Sequence, residues 1–194
     1  MRVLKFFAIA IIGIAVLTVG IGLLLPRTWS VNESIVIDAP PERVADEVKN
    51  FHNWQHWVFW NDSDDPEVKR TFSDQQGVPG ASTSWNGPRM GRGKLTVSKV
   101  EPGSIAFDEQ LESDEVNAHG MLSWREESGR TEVTWHDEGL LPAVMGGYFR
   151  SVVQRGLSDH FKTALEKLKA HVEQTAQAGV QVDAGVAAAP DSGT

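Results

Sequence analysis

MGGYFRSVVQRGLSDHFKTALEKLKAHVE, residues 145–173, is the stretch on which the fold turns. Met145, Phe149, Val152, Val153, Leu157, Phe161, Ala164, Leu165, Leu168 and Val172 recur at intervals of three and four, the period of an amphipathic helix. The opposite face carries Arg150, Arg155, Asp159, Lys162, Glu166, Lys169 and Glu173, with Glu166 and Lys169 spaced as a helical ion pair. The pattern predicts one long helix over 143–173. A helix with a single apolar stripe must lay it against another element, and the residues upstream supply one.

Before this helix the period is two. Phe72, Ser82 to Trp85, Leu95 and Val97, Ile105 and Phe107, Leu122 and Trp124, and Val133 and Trp135 mark five or six short strands. Turn residues separate them at 77–80, 86–88, 101–103 and 127–129, and Gly139 and Pro142 close the run. Alternation implies an antiparallel sheet with one buried and one wet face. Residues 29–37 also alternate, with Val31, Glu33, Ile35 and Ile37 on one side. Asp38-Ala39-Pro40-Pro41-Glu42 reads as a helix start, with Asp38 as N-cap and prolines in the first turn. Val44, Val48 and Phe51 continue at helical spacing, and Trp54, Trp57 and Trp60 at i, i+3, i+6 would share a face of a further short helix. A polar turn follows at 61–66. The order is strand, helices, antiparallel strands, long helix: an α+β fold with helices on one side of a sheet.

The termini differ from this central unit. Residues 6–25, FFAIAIIGIAVLTVGIGLLL, carry no charge and only Thr18 as a polar residue. Twenty helical residues span about 30 Å, the thickness of a bilayer core. A signal-peptide core is typically about 7–15 residues and ends at a small-residue site; this run is longer and ends Leu24-Leu25-Pro26-Arg27. Residues 1–29 therefore read as an uncleaved transmembrane anchor. Arg2 and Lys5 precede it and Arg27 alone follows closely, which puts the N-terminus in the cytoplasm and the domain outside. Trp29 stands where an interfacial aromatic belt would be. Residues 175–194, rich in Ala and Gly and without aromatics, read as a disordered tail. The folded domain is then 30–174.

Composition excludes several functions. With no cysteine there is no disulfide, thiol nucleophile or Cys-based metal site. A net charge of −8 argues against a nucleic-acid partner. The acidic domain would also be repelled by an anionic lipid surface, leaving membrane attachment to residues 6–25. His52 and His56 are four apart, but the sequence offers them no obvious third ligand, so no metal site is expected. Residues 87–93 are glycine-rich yet match no nucleotide-binding pattern and lie between strands; they read as a hairpin, and no cofactor is expected.

The opening Ile37-Asp38-Ala39-Pro40-Pro41-Glu42-Arg43-Val44, with Asn53-Trp54, Trp57, Trp60 and Asp65-Pro66, resembles that of the START/Bet v 1-like superfamily, in particular its bacterial polyketide cyclase/dehydrase-type branch. The close, Thr131 to Trp135 followed by Phe161 to Leu165 and Leu168-Lys169, is similar to that family's too. The resemblance implies a helix-grip fold, in which a curved antiparallel sheet wraps the C-terminal helix around a cavity. It also implies an apolar small molecule or lipid as ligand, or in a minority of members ring closure or dehydration. It carries over no catalytic residue.

The expected cavity lining is aromatic: Trp54, Trp57, Trp60, Trp85, Phe107, Trp124 and Trp135, with Tyr148 and Val152 at the mouth. Entry is expected between the Trp54–Trp60 segment and the N-terminal half of the last helix. For the enzymatic alternative, His119, His136 and Asp137 are the acid–base candidates. His119 would face away if Ala118, Gly120, Leu122 and Trp124 form the inner side of their strand.

Overall fold

The computed structural model describes residues 2–58, 65–112 and 117–187. The elements run α1 (Arg2–Leu24), β1 (Thr28–Ile37), α2 (Pro41–Lys49), a 3₁₀ turn (Asn53–His56), β2 (Lys69–Phe72), β3 (Ser82–Gly87), β4 (Gly91–Glu101), β5 (Ser104–Leu111), β6 (Ala118–Glu127), β7 (Arg130–Leu140) and α3 (Gly146–Ala187). All seven strands join one antiparallel sheet in the order β1-β7-β6-β5-β4-β3-β2. After β1 the chain crosses through α2 to the far edge, then meanders back until β7 pairs with β1. The sheet is curved and α3 lies on its inner face, which is the helix-grip architecture.

Curvature is written into cross-strand pairs. Trp85 lies opposite Gly93, and Trp29 opposite Gly139. A Cβ at either glycine would run into the facing indole, so each glycine lets a large ring fold down over its neighbour strand. Inside, Ile37, Leu95, Ile105, Leu122 and Val133 meet Phe161, Ala164, Leu165, Leu168 and Val172 of α3 and Val44 and Val48 of α2. Trp135 stacks flat on Phe161, with centroids 4.3 Å apart.

Several local details differ from the sequence expectation. Asp38 does not cap α2: the N-cap is Pro40 and no side chain caps it. The Asp38 amide instead donates to Glu173 Oε1 at 2.8 Å, tying the start of α2 to α3. Lys169 pairs with Glu173 rather than Glu166, at 3.1 Å, and donates to the Val36 carbonyl. Trp29 is not an interfacial belt residue, because it is buried against the sheet. The stripe on α3 is buried only from Phe161 onward; Met145, Phe149 and Val152 are exposed. The helix also continues past 173 to Ala187; residues 188–194 lie outside the described residues.

α1 is long and apolar enough over Val3–Leu24 to cross a membrane, a property that N-terminal signal sequences share. Its C-terminal end touches the start of α3. The Tyr148 hydroxyl donates to the Thr18 carbonyl at 2.7 Å, and Gly22 packs beneath Val144 and the Tyr148 ring. The Leu141 amide donates to the Arg27 carbonyl at 2.9 Å.

Candidate functional site

Between the inner face of the sheet and the N-terminal half of α3 lies a cavity of about 790 Å³. Trp29, Trp85, Leu111, Ala118, Leu141, Val153, Leu157 and Phe161 give it an apolar wall. Its mouth is marked by Leu111 and Leu140, which line it and are 40% and 47% exposed. The tip of the β3–β4 hairpin, Arg89 and Met90, forms another part of the rim. Buried Asp65 fixes that tip: its Oδ2 accepts from the amides of Arg89 at 2.9 Å and Met90 at 3.0 Å. Burial pushes the Asp65 carboxyl up, but these amides and that of Glu67 outweigh it and hold the pKa below the usual value. The stretch at 87–93 is thus the hairpin expected of it.

Two carboxyls reach the cavity from β5 and β7. Glu109 lies opposite Ala118 of β6, and Asp137 opposite Gly120. These two small residues of the intervening strand leave room for the acids to meet and hydrogen-bond above it. Gly120 is required by close approach, since any Cβ there would strike the Phe107 ring and Asp137 Oδ1. Both acids are more than nine-tenths buried. Burial pushes Glu109 up to about 7, against the lowering influence of Asp137 and His119. Burial first, then the charge and hydrogen bond of Glu109, pushes Asp137 up to about 10. The pair therefore keeps a proton at neutral pH. Asp137 Oδ1 makes no hydrogen bond of full geometry; the Trp135 side chain, whose Nε1 is also without such a bond, only lowers the Asp137 pKa against the larger raising influences. A buried polar atom so placed is where a ligand group or water is expected.

The raised pKa values fix a pH dependence. Above about pH 4 the unfolded chain releases protons that the folded chain retains. Stability therefore falls as pH rises from about 4 toward about 7 for Glu109 and about 10 for Asp137. Asp137→Asn is expected to raise the melting temperature at pH 8 relative to wild type and to flatten the profile between pH 5 and 8. A variant whose melts track the wild-type profile contradicts the protonated pair.

Of the nine expected lining residues, Trp85 is the one found in the cavity wall among the described residues. Trp54, Trp57, Trp135 and Phe107 form a sealed aromatic cluster. In it Trp54 stands 5.0 Å from Trp57, 5.5 Å from Phe107 and 6.0 Å from Trp135 between centroids, and its Nε1 donates to the Val48 carbonyl. Trp124 is buried at the edge of the core, with the Lys49 ammonium 5.4 Å from its ring centroid. Tyr148 and Val152 are exposed, Tyr148 against α1; Trp60 lies outside the described residues. The Trp54–Trp57 segment thus packs into the core, and the mouth opens among Leu111, Leu140 and Val153. Of the acid–base candidates, only Asp137 faces inward. His119 is exposed on the outer face, 2.9 Å from Asp108, and His136 is on that face near Glu138. Glu109 was missed, although it falls in the same alternating phase as Ile105 and Phe107, where a charge is out of place.

A family model described as "Polyketide cyclase / dehydrase and lipid transport" matches residues 28–173. No curated protein matches the chain in sequence. Among solved structures, a protein from Mesorhizobium loti is 16% identical, with TM-score 0.57, covering 75% of this chain and 98% of its own. A protein from Thermus thermophilus is 20% identical, with TM-score 0.56 and the same coverage. The Aha1 dimer from Colwellia psychrerythraea is 16% identical, with TM-score 0.55, covering 74% and 96%. At these identities the likeness is one of fold.

Proposed function

Because the chain belongs to the polyketide cyclase/dehydrase and lipid transport family, we propose that it is a membrane-anchored binder of an apolar molecule. One polar group of that molecule sits against Glu109 and Asp137. The observation that carries this reading is Asp137 Oδ1, without a full hydrogen bond, in a cavity whose wall is mainly apolar, its other polar lining residues being Glu109, Arg89, Asn117, His160 and Lys167. A volume of about 790 Å³ falls in the range of small-molecule sites, and a few placed polar groups on an apolar wall are what such sites use. A neutral carboxyl donates a hydrogen bond, so a hydroxyl, carbonyl or ether oxygen is the matching group. The anchor favours a ligand that partitions into lipid: α1 meets α3 beside the mouth, where Leu140, Met145 and Phe149 are exposed. In this reading the N-terminus is cytoplasmic and the domain lies outside.

The test is to purify the full chain, extract it with organic solvent and identify the retained molecule by mass spectrometry. Asp137→Ala is expected to cut retention about tenfold, the value of one hydrogen bond to a buried polar group. Equal retention by wild type and variant contradicts the role of the pair.

The split between the two acids favours a second reading, a dehydratase or cyclase. Glu109 as carboxylate would take the proton from carbon next to a carbonyl. Neutral Asp137 would protonate the departing hydroxyl, so that a C–H and a C–O bond break, a C=C bond forms and water leaves. Retention of an intact ligand by Glu109→Gln, with conversion only in wild type, would favour it over binding alone.

A further inference from the structure

The geometry points to a divalent transition-metal site formed by Glu47, His56 and His171, separate from the cavity. The three come from α2, from the end of the 3₁₀ turn and from α3. Their ligating atoms all lie within 4.8 Å of one another. Glu47 Oε1 and His171 Nε2 are 3.4 Å apart, and the His56 and His171 rings lie face to face, with centroids 4.8 Å apart.

Ligand atoms around a metal bonded at about 2.0–2.2 Å stand about 3–3.4 Å from each other. The Glu47–His171 edge already meets that spacing. His56, exposed and on a single turn of helix, needs to move by roughly an ångström to complete the set. The second oxygen, Glu47 Oε2, is buried and has no hydrogen-bond partner. An acceptor left over beside two imidazoles is what a cation would satisfy.

Two imidazoles and one carboxylate suit Zn²⁺, Co²⁺, Ni²⁺ or Cu²⁺ rather than Mg²⁺ or Ca²⁺, which prefer all-oxygen sites. None of the three residues lines the cavity. The site therefore acts as a clamp. It joins α3 next to Val172, the last core residue of that helix among the described residues, to α2 and to the turn that carries the buried indole of Trp54. The sequence spacing alone singles out the wrong pair: His52 turns away and stacks on Phe72 at 4.0 Å.

The test uses the full chain in detergent, without an affinity tag of histidines, stripped with chelator and titrated with Zn²⁺ by calorimetry. One Zn²⁺ per chain is expected, with micromolar or tighter affinity. Co²⁺ should give visible absorption bands, and saturating Zn²⁺ should raise the melting temperature, because the metal binds only the folded arrangement. His56→Ala changes an exposed side chain, so the fold survives it. It should weaken Zn²⁺ binding at least tenfold and abolish the thermal shift, as should Glu47→Gln. His52→Ala should change neither. Absence of stoichiometric binding by wild type, or binding unaltered in His56→Ala and Glu47→Gln, overturns the proposal.

Discussion

Trp57→Ala lowers the stability of the domain by about 3–5 kcal/mol, the range for truncating a buried Trp or Phe, and leaves ligand retention per folded molecule unchanged. Trp57 is fully buried and packs against Trp54 at 5.0 Å and Trp135 at 5.8 Å between centroids. Removing the indole leaves a cavity among rings that cannot collapse into it, since Trp54 is held by its bond to Val48 and Trp135 by its stack on Phe161. For a domain of this size the loss corresponds to a melting temperature lower by about 10 °C or more. Denaturant titration gives the energy, and ligand extraction at a temperature where the variant is still folded gives the retention. Retention lost from the folded variant would return Trp57 to the ligand site.

Gly120→Ala is destabilising, against the ordinary sign of the change. In a strand interior, replacing Gly by Ala commonly stabilises by about 0.4–1 kcal/mol through the unfolded chain. At Gly120 the new methyl group meets the Phe107 ring and Asp137 Oδ1 at once. Phe107 is locked in the core and Asp137 is held by Glu109. Overpacking of this kind costs about 1–3 kcal/mol, and it forces the acid pair apart, so ligand retention falls together with stability. Gly156 on α3 is the internal control. A Cβ there meets nothing within 4 Å, and Gly156→Ala should stabilise by about 0.5–1 kcal/mol. Chemical denaturation of both variants decides the matter: a stabilised Gly120→Ala would mean that β6 is not crowded as described.

The architecture is legible in the sequence because two periods carry it. The three-and-four spacing from Phe161 to Val172 is buried as expected, and the alternation in β5, β6 and β7 sorts inner from outer residues, His119 included. The same spacing at Met145, Phe149 and Val152 misleads, because that part of α3 meets α1 and the cavity mouth instead of a covering sheet. Periodicity reports that a face is apolar and leaves open what covers it. The tryptophans show a similar limit, since indoles of a packed core and of a ligand wall carry the same pattern. The acid pair had a readable signal: Glu109 and Asp137 each occupy the apolar phase of a strand, with Ala118 and Gly120 as small residues on the strand between. The meeting of Glu47, His56 and His171 had none, because three separate elements bring them together only in the folded chain.

The central claim is that an apolar molecule lies between α3 and the acid pair. Photolabelling tests it most directly, using the full chain in lipid nanodiscs and a long-chain alcohol that carries a diazirine in its tail, followed by peptide mass spectrometry. The account predicts adducts on the wall residues Val153, Leu157 and Leu111. Unlabelled alcohol should suppress them, and Asp137→Ala should reduce them. Adducts on Trp54 or Trp57, or labelling confined to α1, Tyr148 and Phe149 and insensitive to competitor, would contradict it.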